Sequence, residues 1–278
     1  MKIGPVEIGA GSHVKVMGII NASPESFYKR SVRTGATEIA QAAREMQEAG
    51  AHIIDIGAMS TAPYLETVIP VEEETRRMTE AIGAAKSACS LPISADTPRA
   101  EVAQAAAKAG AHMINDVTGL KYDAKMAKAV AKAGLPVIAG AYSSAPVKGD
   151  VAGTLAALKE SMAIAKKAGI KDVIVDPSIG FFRSEGKNPF FTKMTDVPWY
   201  ARDLQVLSNL DKLARLAPVC VSVSRKSFMG HLLGVDADER LAPSIACEIM
   251  SAINGASIIR THSVKETVQA LAMLELLR

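Results

Sequence analysis

TEIAQAAREMQEAGAHIIDIG, residues 37–57, holds one complete structural unit. Its first part carries apolar residues at helical spacing and ends in Gly50, where a helix C-cap belongs. Its last part, HIIDIG (52–57), is a short apolar run rich in β-branched residues. The same beat recurs in PRAEVAQAAAKAG (98–110), and strand-like runs appear throughout: VKVMGII (14–20), LPIS (91–94), HMIND (112–116), LPVIAG (135–140), DVIVD (172–176), PVCVSV (218–223) and ASIIR (256–260). With HIIDIG they make eight. Near-continuous apolar strands alternating with helices call for a parallel sheet covered by helices, and eight such units predict an α/β fold closed as a single (β/α)8 TIM barrel. An open doubly wound sheet is the competitor, but no GxGxxG follows the first strand to give it a dinucleotide site.

No low-complexity stretch or interdomain linker interrupts the pattern, so a single domain is expected over 1–278. The widest gaps, 58–75, 141–152 and 181–200, each follow a strand, where barrel enzymes carry active-site loops. A chain of 278 residues with 49% apolar content can bury a large core. Its formal net charge of +3 is small and scattered, and no basic run interleaves with aromatics, so no nucleic-acid partner is expected. Cys89, Cys220 and Cys247 are odd in number and far apart, which reads as free buried thiols. The start lacks the pattern of a signal peptide and no run is long enough to span a bilayer, predicting a cytoplasmic protein with no membrane role.

In a barrel, the first polar residues after each strand converge on one mouth. They are Asn21, Asp55, Asp96, Asn115, Asp176, Lys226, Arg260 and His262. Each alone has a plain explanation, since Asp or Asn after a strand starts turns and caps helices; Asp55 and Asp96 fit it. Together they form a site with two chemical halves. Asp96, Asn115 and Asp176 supply the acceptors and amide that grip a flat heterocycle with an amino-pyrimidinone edge. Asn21, Arg260 and His262 offer donors suited to an anion such as pyrophosphate, and the Asn21 carbonyl can also bind a divalent metal. Lys226 stands between them as a point charge.

Other chemistries find less support. No His pair stands at helical spacing near a glutamate, and neither a GxSxG elbow nor a P-loop exists. His13, His52, His112 and His231 read as packing or surface residues. Trp199 reads as packing an irregular segment, with an exposed FF…WY patch toward a partner as the alternative.

Taken in order, these motifs resemble the dihydropteroate synthase family of pterin-binding TIM-barrel enzymes: MGIINASPESF, IIDIGAMSTAP, ISADT, MINDV, DPSIGF, SVSRKSF and RTHSV. The resemblance implies condensation of a dihydropterin hydroxymethyl pyrophosphate with p-aminobenzoate or a related acceptor. It places Asp96, Asn115, Asp176 and Lys226 on the pterin, and Asn21, Arg260 and His262 on pyrophosphate and Mg2+, with Lys226, Arg260 and His262 as the catalytic set. Ser23, Lys29, Ser60 and Thr61 are the loop candidates, and a homodimer involving ETVQALAMLELL is expected. The chain departs from the family pattern at Lys29, Met59, Ala62, Phe182, Arg183 and Ser263, as a divergent, archaeal-type branch would. Two readings stand beside the synthase. One is a methyltransferase moving a methyl group from a methylated tetrahydropterin (tetrahydrofolate or tetrahydromethanopterin) to a corrinoid protein or another acceptor; the other is a pterin-binding module without chemistry.

Overall fold

The computed structural model describes residues 1–9, 11–24 and 32–277. A small antiparallel hairpin comes first, β1 (Lys2–Ile3) with β2 (Val6–Glu7). Then follow the barrel strands β3 (Lys15–Asn21), β4 (Ile53–Gly57), β5 (Ile93–Asp96), β6 (Met113–Asp116), β7 (Val137–Gly140) and β8 (Val173–Asp176). After β8 a short parallel pair intervenes, β9 (Phe182–Arg183) with β10 (Thr192–Lys193), before β11 (Val219–Val221) and β12 (Ala256–Thr261) complete the ring. The barrel runs β11-β12-β3-β4-β5-β6-β7-β8 and closes where Val219 pairs with Val175.

Helices α1 (Ala36–Glu48), α2 (Val71–Ala88), α3 (Ala100–Ala109), α4 (Met126–Ala133) and α5 (Val151–Ala168) follow successive strands. Two later crossovers are doubled: α6 (Trp199–Leu207) and α7 (Leu210–Ala214) lead to β11, and α8 (Ser227–Leu233) and α9 (Leu241–Ile253) to β12. The ring ends with α10 (Val264–Leu276). The expected barrel is therefore present, with more helices than its eight units required. Alanine makes the close packing possible. On α2, Met78, Ala81, Ile82 and Ala85 are buried at helical spacing and share one core cluster with Ala42 and Ala43 of α1 and Val102, Ala103 and Ala106 of α3. Helix α3 ends at Gly110 with φ of 99°, a left-handed cap that a side chain resists.

Strand ends differ from the expected runs by one or two residues, and one strand shifts as a whole. The third apolar run was expected at 91–94, but β5 occupies Ile93–Asp96: Pro92 has no N–H for the ladder, while Asp96 stays in register with Gly57 and Asn115.

The barrel interior explains where chemistry can occur. At its lower end Met17, Ile53, Met113, Ile138, Ile174 and Ile258 form a cluster with Cys220, plugged from below by Ile3 and Ile8 at the hairpin. Side chains along a strand return to the same face every second residue. Two residues beyond that apolar layer the inward positions become Asp55, Asn115, Asp176, Ser222 and Arg260. The floor is apolar and the mouth largely polar. Two histidines left unassigned by sequence brace the lower rim: His52 Nδ1 accepts the Val16 N–H at 3.2 Å, and His112 Nδ1 accepts that of Ile93 at 3.1 Å. Burial lowers the pKa of both, which keeps them neutral acceptors.

Candidate active site

Strand register assembles the first wall. Asn21 is paired with Gly57, Gly57 with Asp96, and Asp96 with Asn115, so four adjacent strands deliver one row at the mouth. A Cβ at Gly57 would project between Asn21 Oδ1, 3.7 Å away, and Asp96 Oδ2, 3.8 Å away. Glycine there keeps the space between the amide and the carboxylate open.

Arg260 enters this row from β12. Its Nε donates to Asp55 Oδ2 at 2.6 Å and its Nη2 to Asp96 Oδ2 at 2.7 Å, while Asn115 Nδ2 donates to the same Asp55 oxygen at 3.2 Å. Asp55 was assigned no substrate role in the sequence reading, where a turn or cap sufficed. Its side chain is fully buried and anchors both Arg260 and Asn115. The available signal was an acid inside an otherwise apolar strand, a position that demands a cationic partner. Through these two bonds Arg260 also joins the two halves of the site.

The opposite wall comes from two tight turns. Asp176 Oδ1 accepts the N–H of Ser178 at 2.6 Å, and Ser178 has φ of 53°. Arg225, just before Lys226, has φ of 55°, and its N–H donates to Ser244 Oγ at 2.8 Å. Both non-glycine residues occupy a costly left-handed conformation beside a functional side chain. Behind the first turn, Arg202 donates to the carbonyl of Pro177 at 2.6 Å and to Thr154 Oγ1 at 3.0 Å, stacks on Phe182 at 3.7 Å, and pairs with Asp203 at 3.1 Å. Asp203 in turn accepts the Gly180 N–H at 2.9 Å. Phe182, one of the departures noted above, thus packs on the clamp that holds the turn after Asp176.

The site strains the charge states of its members. Burial, opposed by Arg260 but reinforced by Asp55, Asp116 and Asp176, pushes Asp96 up to about 7. Burial also raises Asp176. Lys226 is lowered to about 8 by burial and by Arg260. Arg260 resists burial and is held above its ordinary value by Asp55 and Asp96. His262 falls to about 3 through burial and the positive charges of Arg260, Lys226 and Arg225, so at neutral pH it serves as a neutral hydrogen-bonding group and not as a cation. Its Nδ1 lies 3.2 Å from Ser224 Oγ.

Asn21, Asp96, Asn115, Asp176, Lys226, Arg260 and His262 all line one cavity, as do Ser60 and Thr61. Ser23 does not: its side chain is buried and lies outside the lining. Lys29 lies outside the described residues. Tyr64, Phe181, Ser222, Ser224 and Ser227 also line the cavity without having been singled out as site residues. The Lys226 ammonium sits 4.6 Å from the Phe181 ring centroid. Chemically the cavity offers carboxylates and an amide for a polar heterocycle edge, with an arginine, a lysine and a neutral imidazole where negative charge can leave.

Comparison with known proteins sets the class first. Residues 17–262 match the family described as pterin binding enzyme. The chain is 34% identical to a dihydropteroate synthase of Clostridium beijerinckii, covering 100% of this chain and 99% of that one. Among solved structures, the dihydropteroate synthase of Coxiella burnetii in complex with pteroic acid is similar with a TM-score of 0.83 and 32% identity, covering 96% of this chain and 94% of that one. The Xanthomonas albilineans enzyme with 4-aminobenzoic acid gives 0.80 and 34%, covering 95% and 93%. The chain belongs to the dihydropteroate synthase family, and it is a transferase.

Proposed function

We propose that this chain joins a dihydropterin hydroxymethyl pyrophosphate to the amine of p-aminobenzoate. The C–O bond to pyrophosphate breaks with its electron pair, the amine nitrogen bonds the same carbon, and the resulting ammonium gives up a proton. The observation that carries this reading is the shared cavity in which Asp96, Asn115, Asp176 and Lys226 stand beside Arg260 and His262. The first four hold the pterin ring. Arg260 stabilises charge that grows on the leaving oxygen, His262 supplies a neutral hydrogen bond, and Asp176 and Asp96 favour the electron-poor pterin methylene.

Mg2+ belongs to the same reading. Asn21 presents an amide oxygen at the cavity, and among the described residues no group of three His, Cys, Asp or Glu is placed to hold a metal. Asn21 would be one protein ligand of a Mg2+, and the ion, when bound, would supply neutralisation of leaving-group charge.

Two further features complete the proposal. We expect a homodimer: Leu271 packs on its own barrel, but Met273, Leu276 and Leu277 of the C-terminal segment are exposed, as are Met250 and Ile253 of α9. Light scattering that gives a monomer at micromolar concentration contradicts it. A cytoplasmic setting agrees with three free cysteines, and no helix among the described residues is long and apolar enough to cross a membrane.

The test runs two reactions side by side, the pyrophosphate substrate with p-aminobenzoate and Mg2+, and a methylated tetrahydropterin with a reduced corrinoid acceptor. Product is expected only in the first. Product only in the second would leave the pterin cavity standing and remove the synthase reading.

A further inference from the structure

We propose that Arg183 selects an anionic acceptor, taking the carboxylate of the aromatic amine at the outer wall of the cavity. The inference rests on the reading that the acceptor is an aromatic amine bearing a carboxylate. Its physical ground is an arginine without a direct acidic partner among the described residues, on which Asp203 acts only at longer range. Arg260 pairs with Asp55 and Asp96, Arg202 with Asp203, and Arg99 with Glu74 at 2.9 Å. Among the described residues no carboxylate stands within ion-pair distance of Arg183. Its Nε donates to the Gly180 carbonyl at 3.1 Å and its Nη2 to Ser227 Oγ at 2.7 Å, which leaves most of its five N–H donors to other partners.

The guanidinium is also held in place. It lies 3.6 Å from the ring centroid of Trp199 and 5.8 Å from that of Tyr64, half-buried between them. Stacking on an aromatic face holds the planar fork in one orientation and keeps water from part of it, which strengthens a bond to an arriving carboxylate. Of the residues it touches, Gly180, Ser227 and Tyr64 line the cavity, with Arg183 and Trp199 directly behind them.

The remaining outer wall carries no charge. Met59, Ala62, Pro63 and Tyr64 face the cavity there, and the Lys226 ammonium sits over the Phe181 ring. An acceptor whose amine reaches the pterin methylene near Arg260 must point its para substituent away from the barrel axis. On that side Ser227 lines the cavity and Arg183, bonded to it from behind, brings the positive charge an anion needs, and an arginine contact gives direction as well as energy.

The experiment compares p-aminobenzoate with its neutral analogue 4-aminobenzamide in wild type, Arg183→Gln and Arg183→Lys. Wild type is expected to prefer the benzoate. Arg183→Gln should reduce kcat/KM for the benzoate about ten- to a hundredfold, mainly through KM, and leave the benzamide unchanged, with Arg183→Lys between. Equal losses for both acceptors, or no loss, would overturn the proposal. Trp199 is the single tryptophan, so its indole N–H resonance reports on Arg183 independently of turnover. With a pterin and pyrophosphate bound, p-aminobenzoate should move that resonance in wild type and not in Arg183→Gln, and 4-aminobenzamide should move it in neither. If wild type makes no conjugate with either amine, the synthase reading falls, and this titration alone decides the Arg183 proposal: a benzoate-specific shift upholds it and no shift overturns it.

Discussion

Arg260 and Asp55, 205 residues apart in the chain, meet at 2.6 Å because β12, β3 and β4 lie side by side in the barrel. Asp55 is the fully buried partner, and it also fixes Asn115. Asp55→Asn keeps the shape and removes the charge. It should cost roughly 1.5–3 kcal/mol of stability in urea unfolding, because a charge-assisted hydrogen bond becomes a neutral one beside a largely buried guanidinium. An unchanged unfolding midpoint and slope would mean that Asp96 alone holds Arg260.

Pterin binding should depend on pH from both sides. Asp96, raised to about 7, loses its ionised acceptor as pH falls through that value; Lys226, lowered to about 8, loses its ammonium as pH rises through that one. The log of kcat/KM for the pterin substrate should therefore peak between about 7 and about 8 and fall on either side. Asp96→Asn should flatten the acid limb and Lys226→Ala the alkaline limb. Limbs that survive both substitutions would assign the titrations elsewhere.

Calorimetry on the same cavity offers a simpler check. Asp176→Ala or Lys226→Ala should weaken pterin binding about ten- to hundredfold, the loss expected when a charged hydrogen bond in a buried site goes without its partner. Wild-type affinity in both variants would remove Asp176 and Lys226 from the pterin contact.

The clamp behind Asp176 makes a prediction about folding. Arg202 and Asp203 are both fully buried, so Arg202→Met strands a carboxylate and should destabilise the protein by about 3–5 kcal/mol. Adding Asp203→Asn should restore part of that loss, since the uncompensated charge is gone. A double variant no more stable than Arg202→Met would show that the hydrogen bonds of Arg202 to Pro177 and Thr154 matter more than the pair.

The residues legible in the sequence were those whose position follows from local pattern. A strand followed by a polar residue places Asn21, Asp96, Asn115 and Asp176 at a barrel mouth without knowledge of any contact, and the family resemblance then suggested their roles. Asp55 was visible but underread, because its partner lies on the last strand and only the side-by-side order of β12, β3 and β4 brings the two together. Arg183 stood out as a departure, yet its stacking on Trp199 depends on how the 181–200 crossover folds back through β9 and β10. His52 and His112 carried no signal for their bracing role, since each reaches a backbone N–H on a neighbouring strand. The hairpin that plugs the barrel was likewise hidden, being too short for a periodic pattern.

The central claim is that the amine nitrogen of the acceptor replaces pyrophosphate on the pterin carbon. Its most direct test is mass spectrometry of the product formed from the dihydropterin hydroxymethyl pyrophosphate, Mg2+ and amine-labelled 15N p-aminobenzoate, with released pyrophosphate measured in the same tube. A pterin conjugate carrying the 15N label, equal in amount to the pyrophosphate and strongly reduced in Arg260→Ala, is the expected result. Pyrophosphate release without labelled conjugate, or neither product, would contradict it.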